Sequence, residues 1–191
     1  MKAICRTSVE KPAGSPIKAI CYPDTVRFRT KATKWCCQHE EDGLAAYMSR
    51  MEQSHDSFKV EKSGSVISSD YPHIGASHDS MVECNCCGKG TVEVKCPYCV
   101  RDKEIPECLE KVSCKENVAR KIQLRKSHQY YYQIQTQAFV CNVNYCDSVI
   151  WTEEGLHHDR MEPDHALWDE ICERATGFFK RAVLPELAGK Y

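Results

Sequence analysis

The chain lacks any apolar run approaching the length of a membrane span, and its first residues, Met1-Lys2-Ala3-Ile4-Cys5-Arg6, lack the apolar core of a secretory signal. Both absences argue for an intracellular, reducing compartment, cytoplasm or nucleus. An excess of charge of one sign is also missing. The 26 Lys and Arg residues stand against 27 Asp and Glu, for a formal net charge of −1. That excludes a uniformly basic nucleic-acid binder, so any such site has to be a local basic groove set against acidic surface elsewhere. There is no internal repeat and no long low-complexity tract. What remains is 191 residues with 42% hydrophobic and 28% charged content, the default for one soluble domain with a proper core.

Cysteine, by contrast, is abundant, with 14 residues. Adjacent pairs at Cys36-Cys37 and Cys86-Cys87, without a secretory signal, speak against a disulfide framework and for reduced thiols, with metal binding as the rival. Cys84-x-x-Cys87 and Cys96-x-x-Cys99 each resemble half of a zinc knuckle. Geometry argues against one zinc shared by Cys84, Cys87, Cys96 and Cys99. An extended strand from Thr91 to Cys96 covers about 17 Å at roughly 3.3 Å per residue, whereas a Zn–S bond is about 2.3 Å. Two local alternatives stay open. Cys84, Cys86 and Cys87 could gather an ion with a ligand from elsewhere, and Cys96 could do so with Cys99, Cys108 and Cys114.

The residues with the clearest chemical content are Asp79 and, after a turn, Glu93-Val94-Lys95. Side chains alternate along a strand, so Glu93 and Lys95 share one face while Val92, Val94 and Cys96 take the other. Two carboxylates can hold Mg²⁺, and a lysine beside them can orient or help deprotonate an attacking water. Ile74 to Cys84 reads as a strand that turns at Asn85-Cys86-Cys87-Gly88-Lys89-Gly90. If Cys84 pairs with Gly90, Asp79 falls opposite Lys95; a slip of one residue would put them on opposite faces. Taken alone, an acid followed by Glu-x-Lys is weak, and a surface Glu/Lys pair on a half-exposed strand is the better explanation.

Residues 1–33, with Pro12, Pro16 and Pro23, read as an irregular lead-in with a short strand near Val26 to Phe28. Spacing predicts a helix over Lys34 to Met51, with Trp35, Leu44, Ala45, Tyr47 and Met48 inward. Further on it predicts a strand over Ser57 to Glu61, a helix capped by Ser127 running from His128 to Phe139, and paired strands at Asp147–Thr152 and Leu156–Arg160. Pro163-Asp164 opens a last helix with Leu167, Ile171, Ala175, Phe178, Phe179 and Ala182 inward. This order suggests an α/β fold, a small mixed sheet flanked by helices.

The acidic pattern has companions in order: Lys34-Trp35-Cys36-Cys37-Gln38-His39-Glu40, Gly75-Ala76-Ser77-His78-Asp79-Ser80, Glu93-Val94-Lys95-Cys96-Pro97-Tyr98 with Arg101, and Tyr132-Gln133-Ile134-Gln135. Together they resemble the phage-type recombinase nucleases, the lambda exonuclease and YqaJ family of the PD-(D/E)xK nuclease superfamily, over roughly residues 34–180. The resemblance implies a restriction-endonuclease-like core over 34–184, followed by a tail at 185–191. It implies an exonuclease that hydrolyses duplex DNA from the 5′ end with two Mg²⁺ ions, Mn²⁺ substituting, in recombination, repair or mobile-element metabolism. Asp79, Glu93 and the Val94 carbonyl would hold the metals, Glu40 would add a carboxylate, and Lys95 would be the catalytic lysine. One of Gln133 and Gln135 would position water or phosphate, since residues two apart do not share a helix face. Arg101 would contact phosphate, and Ser77, Arg120, Lys121, Arg125, Lys126 and Tyr131 are further candidates for touching DNA. The partners implied are duplex DNA ends, a strand-annealing protein and further copies of the chain, as in the trimer known in the family.

Two departures stand out. Ser77-His78-Asp79-Ser80 replaces the usual Ser-Pro-Asp-Gly, which would cost roughly 1–3 kcal/mol at Ser80 if the backbone there requires positive φ. Cys36 replaces a glycine after Trp35. The alternatives are a catalytically weak DNA-binding relative and an interaction module stabilised by zinc through its cysteines.

Overall fold

The computed structural model describes residues 1–8, 10–26, 30–118 and 121–189. Its centre is a five-stranded sheet in the order β1-β4-β5-β8-β9, formed by Lys59–Glu61, Ser80–Cys84, Gly88–Lys95, Tyr145–Thr152 and Gly155–Met161. Neighbours are antiparallel except β5 and β8, which run parallel. A parallel pair requires a crossover. Here the crossover carries α4 (Ile105–Lys111), the hairpin of β6 (Lys115–Val118) and β7 (Lys121–Leu124), and α5 (Gln129–Val140). Two short strands, β2 (Val66–Ile67) and β3 (Gly75–Ala76), pair apart from the main sheet and lead the chain into β4.

Each face of the sheet is covered because β5 alternates. Val92, Val94 and Cys96 pack with Leu44, Tyr47 and Met51 of α3 (Lys31–Glu52). On the other face, Tyr131 and Ile134 of α5 pack with Cys146 and Ile150 of β8. Helix α3 starts where Thr30 and Thr33 cap each other's backbone N–H groups. It approaches β5 so closely that a Cβ on Gly43 would sit 2.6 Å from Val94 Cγ1. Buried Asp147 of β8 pins helix and sheet together. It accepts Tyr47 Oη at 2.6 Å and takes the Arg160 guanidinium at 2.9 and 2.8 Å.

Several expectations need correction. The lead-in is not irregular. It contains α1 (Lys2–Arg6) and α2 (Gly14–Cys21), and Pro16 lies in the first turn of α2, where no intrahelical donor is needed. Pro23–Val26 is a 3₁₀ turn rather than the start of a strand, and Phe28 lies outside the described residues. In α3, Ala45 is exposed, while Gly43 and Met51 are buried. His128, not Ser127, caps α5, its Nδ1 accepting from Tyr130 N at 3.2 Å. The helix opened by Pro163-Asp164, α6 (His165–Phe178), is capped by Asp164 and buries Ile171, Ala175 and Phe178, with Cys172 added. A π-helical stretch, Phe179–Val183, leads into α7 (Leu184–Ala188), so helix continues into the expected tail. Among the described residues, no helix is long and apolar enough to cross a membrane.

The β4–β5 register also differs from expectation. Cys84 pairs with Gly88 rather than Gly90, because Gly88 takes φ +74° and closes a tighter turn. The shift is two residues, so every side chain keeps its face.

Candidate active site

The ladder between β4 and β5 ends at Asp79, whose N–H donates to the Val92 carbonyl at 3.2 Å. Beyond that point β4 has left β5, and the edge of β5 at Glu93-Val94-Lys95 is open. Asp79 turns back onto this edge, its Oδ2 accepting from Val94 N at 2.5 Å. In a strand, a residue's N–H and C=O point to the same side, so the Val94 carbonyl faces the edge that Asp79 occupies.

Glu93 points to the opposite face, toward α5, and is 3% exposed. Lys95 pairs with its Oε1. Gln133 Nε2 donates to the same oxygen at 2.5 Å, and Gln137 Nε2 donates to Oε2 at 2.6 Å. Burial works against the Lys95 ammonium, but the charges of Glu93 and Asp79 and the bond to Glu93 outweigh it and raise its pKa. The Tyr130 ring lies 5.3 Å from Lys95 Nζ and closes that side.

Helix α3 supplies the third acid. The Glu40 carboxyl is hydrogen-bonded to Asp79, and Cys36, one turn earlier, meets Cys96. Burial is the main cause that lifts Asp79 from an ordinary 3.8 to about 6, and the neighbouring Glu40 adds to it. The Cys36 thiol is pulled down to about 6 by its hydrogen bond with Cys96, with Lys95 assisting.

Three elements distant in sequence thus bring Glu40, Asp79, Glu93 and Lys95 together. Gln133 joins them, but Gln135 does not. It is fully buried, donating to the Glu162 carbonyl at 3.0 Å and accepting from Asp164 N at 2.7 Å, because two helical residues on turn it to the far side of α5. Gln137, unremarked in the sequence, takes its place; the i, i+4 spacing from Gln133 was the available signal. Tyr131 is likewise not placed to touch DNA. It is 6% exposed, packs in the core and bonds to Asp164 at 3.1 Å. Tyr130 lines the cleft instead, with Ser77, Gln133, Gln137 and, from α1, Lys2.

Arg101 donates to the Tyr98 carbonyl and stacks against Tyr98 and Trp35, at the root of α3. Arg125 and Lys126 are exposed and paired loosely with Glu116 and Asp164. Arg120 lies outside the described residues, as does the side chain of Lys121. Ser80 does not have positive φ, so the anticipated strain is absent; its hydroxyl donates to the Asp79 carbonyl at 2.7 Å. His78 is buried beside Cys141 rather than open to the cleft. Cys96 sits at the far end of β5 from Cys84 and Cys87, its thiol donating to the His39 carbonyl, and Cys99 is exposed, so these four cysteines do not meet.

A family described as the YqaJ-like viral recombinase domain matches residues 1–144. No curated protein matches the chain in sequence. Among solved structures, the fold is similar to an alkaline exonuclease (LHK-Exo) from Laribacter hongkongensis, with TM-score 0.65 and 22% identity, covering 99% of this chain and 91% of that one. The same protein in complex with dAMP gives 0.68 and 21% over the same shares. A phage related exonuclease from Haemophilus somnus 129PT gives 0.54 and 12%, covering 93% of this chain and 81% of that one. At these identities the likeness establishes a shared restriction-endonuclease-like α/β fold.

Proposed function

The chain belongs to the YqaJ-like viral recombinase domain family, and on that premise we propose that it is a divalent-metal-dependent DNA exonuclease acting on duplex ends. The observation that carries the reading is the contact between the Asp79 and Glu40 carboxyls beside the Val94 edge. Burial and the Glu40 carboxyl beside it hold the Asp79 carboxyl above the usual carboxylate range even with Lys95 nearby, and a hard cation relieves that conflict through oxygen ligands. The donor set fits Mg²⁺: Asp79, Glu40, the Val94 carbonyl and Glu93 are all oxygen donors. Bound there, the cations would neutralise phosphate charge and lower the pKa of a coordinated water.

The chain's own groups divide the remaining work. Glu93 is held through both oxygens by Gln133 and Gln137, which fixes its orientation. Lys95, with its pKa raised, keeps its proton near neutral pH and acts as a donor to phosphate or water rather than as a base. Tyr130, Ser77 and Lys2 wall the cleft, and Arg101, Arg125 and Lys126 provide cationic contacts for the backbone of the duplex. Release of deoxynucleoside monophosphates fits a fold shared with a protein solved in complex with dAMP. By the same family resemblance, digestion starts at the 5′ end and the active form is a homo-oligomer.

The purified chain should degrade linear duplex DNA in Mg²⁺ and stop when EDTA is added. Glu93→Gln and Lys95→Ala should abolish cleavage while circular dichroism remains unchanged. End-labelled duplexes assign the polarity. Cleavage by both folded variants at the parent's rate would remove the reading.

A further inference from the structure

We propose that His55, Cys84, Cys86 and Cys87 form a structural Zn²⁺ site that clasps the end of α3 to the β4–β5 hairpin. None of these residues belongs to the acidic cleft: His55 follows α3, and the cysteines sit at the turn between β4 and β5. Two local features bring them together. His55 N donates to the Met51 carbonyl at 2.9 Å, extending the last turn of α3, and Ser57 at φ 54° then reverses the chain. Cys84 ends β4, while Cys86 and Cys87 form the turn that Gly88 closes.

The distances match a tetrahedron. All four donor atoms lie within 4.8 Å of one another. Sγ–Sγ separations are 3.3 Å for Cys84 and Cys86 and 3.7 Å for Cys86 and Cys87. His55 Nδ1 is 3.1 Å from Cys86 Sγ and 3.6 Å from both Cys84 and Cys87. An ion with Zn–S bonds of about 2.3 Å and a Zn–N bond of about 2.0 Å has tetrahedral edges of about 3.8 Å between sulfurs and about 3.5 Å from sulfur to nitrogen. Small outward shifts of the thiols are enough to seat it. A disulfide, in contrast, needs about 2.0 Å between sulfurs.

The donor set is soft, three thiols and an imidazole, and so selects zinc over the hard cations suited to Asp79 and Glu40. With four protein ligands, the coordination is closed, as in structural rather than catalytic sites. The surroundings serve a bound ion. Three thiolates around Zn²⁺ carry a net negative charge, and Arg160 Nη1 points at Cys87 Sγ from 3.1 Å while its other nitrogens are anchored on Asp147. Asn85 bonds to Asp56 through both backbone and side chain, at 3.0 and 3.1 Å, which holds the two ligand-bearing turns in register. Cys86 is exposed, leaving a path for the ion to enter.

The test uses the full chain produced in zinc-supplemented medium and passed through a desalting column. Elemental analysis should find about one zinc per chain. His55→Ala and the pair Cys86→Ser with Cys87→Ser should lose it at least tenfold, whereas Asp79→Asn should keep it. Because those variants can fail to fold, X-ray absorption on the unaltered chain provides a second arm, expected to show three sulfur neighbours and one nitrogen. Stripping the metal with a tight chelator should lower the melting temperature. Zinc well below one per chain, full zinc in the folded double variant, a ligand shell without sulfur, or a disulfide among Cys84, Cys86 and Cys87 in fresh protein would each overturn the proposal.

Discussion

The amide nitrogen of Gln137 donates to Glu93 Oε2 at 2.6 Å. The same nitrogen reaches the Ser77 carbonyl at 2.7 Å, so one side chain on α5 ties the strand bearing Glu93 to the segment bearing Asp79. Gln137→Ala leaves a buried carboxylate oxygen and a carbonyl unpaired. It should cost about 1–3 kcal/mol in denaturant unfolding and lower metal affinity or turnover by about 10–100-fold. A variant with the parent's turnover would show that the bond is dispensable.

Gln133 and Gln135 should separate cleanly. Gln133→Ala removes a donor to Glu93 and should slow cleavage by about tenfold or more with little change in melting temperature. Gln135→Ala strips Asp164 N and the Glu162 carbonyl of their partner and should cost about 1–3 kcal/mol of stability. Its cleavage rate per folded molecule should stay within about twofold of the parent's. Rate measurements normalised to folded fraction distinguish the two; a Gln135 variant that loses rate without stability contradicts the geometry.

Gly43→Ala places a methyl group against Val94 Cγ1 at 2.6 Å. Neither helix nor strand can yield without moving Glu40 or Val94, so the substitution should cost about 1–3 kcal/mol. In a chain of this size, that lowers the melting temperature by about 2–4 °C per kcal/mol. An unchanged melting curve would mean that α3 does not press this closely on Val94.

Asp79 sets a pH dependence. Its pKa rises from 3.8 in the unfolded chain to about 6 in the folded one, chiefly through burial, so the folded state binds the proton more tightly. The metal-free protein therefore loses stability as pH climbs from about 4 to about 6, by about 1–2 kcal/mol once partial solvent screening is allowed for. Asp79→Asn should flatten that slope. Divalent metal should bind more weakly below about pH 6, where it must displace the proton. Urea titrations at several pH values, with and without Mg²⁺, measure both effects; a slope of the opposite sign excludes the assignment.

Strand alternation in the sequence was enough to place Glu93 and Lys95 together against a Val92/Val94 core, and a two-residue error in register left that conclusion intact. The α5 helix and the β8–β9 pair were visible from spacing and from Glu153-Glu154-Gly155. The helices of residues 1–21 were not, since their prolines read as breakers and they pack against α5, α6 and the helical stretch that follows α6, which no local pattern records. Tyr131 and Gln135 illustrate the same limit. Both are polar enough to suggest a surface role, yet their partners Asp164 and Glu162 sit beyond a whole hairpin in the chain.

The order of acids and lysine, and the parity of their faces, belongs to the sequence, because the two-residue repeat of a strand is a local property of the backbone. Which groups complete the site does not. Gln137 rather than Gln135, Tyr130 rather than Tyr131, and His55 beside three cysteines were chosen by how α3 and α5 lie across the sheet, and that is decided by contacts between residues too far apart in the chain for any short-range pattern to encode.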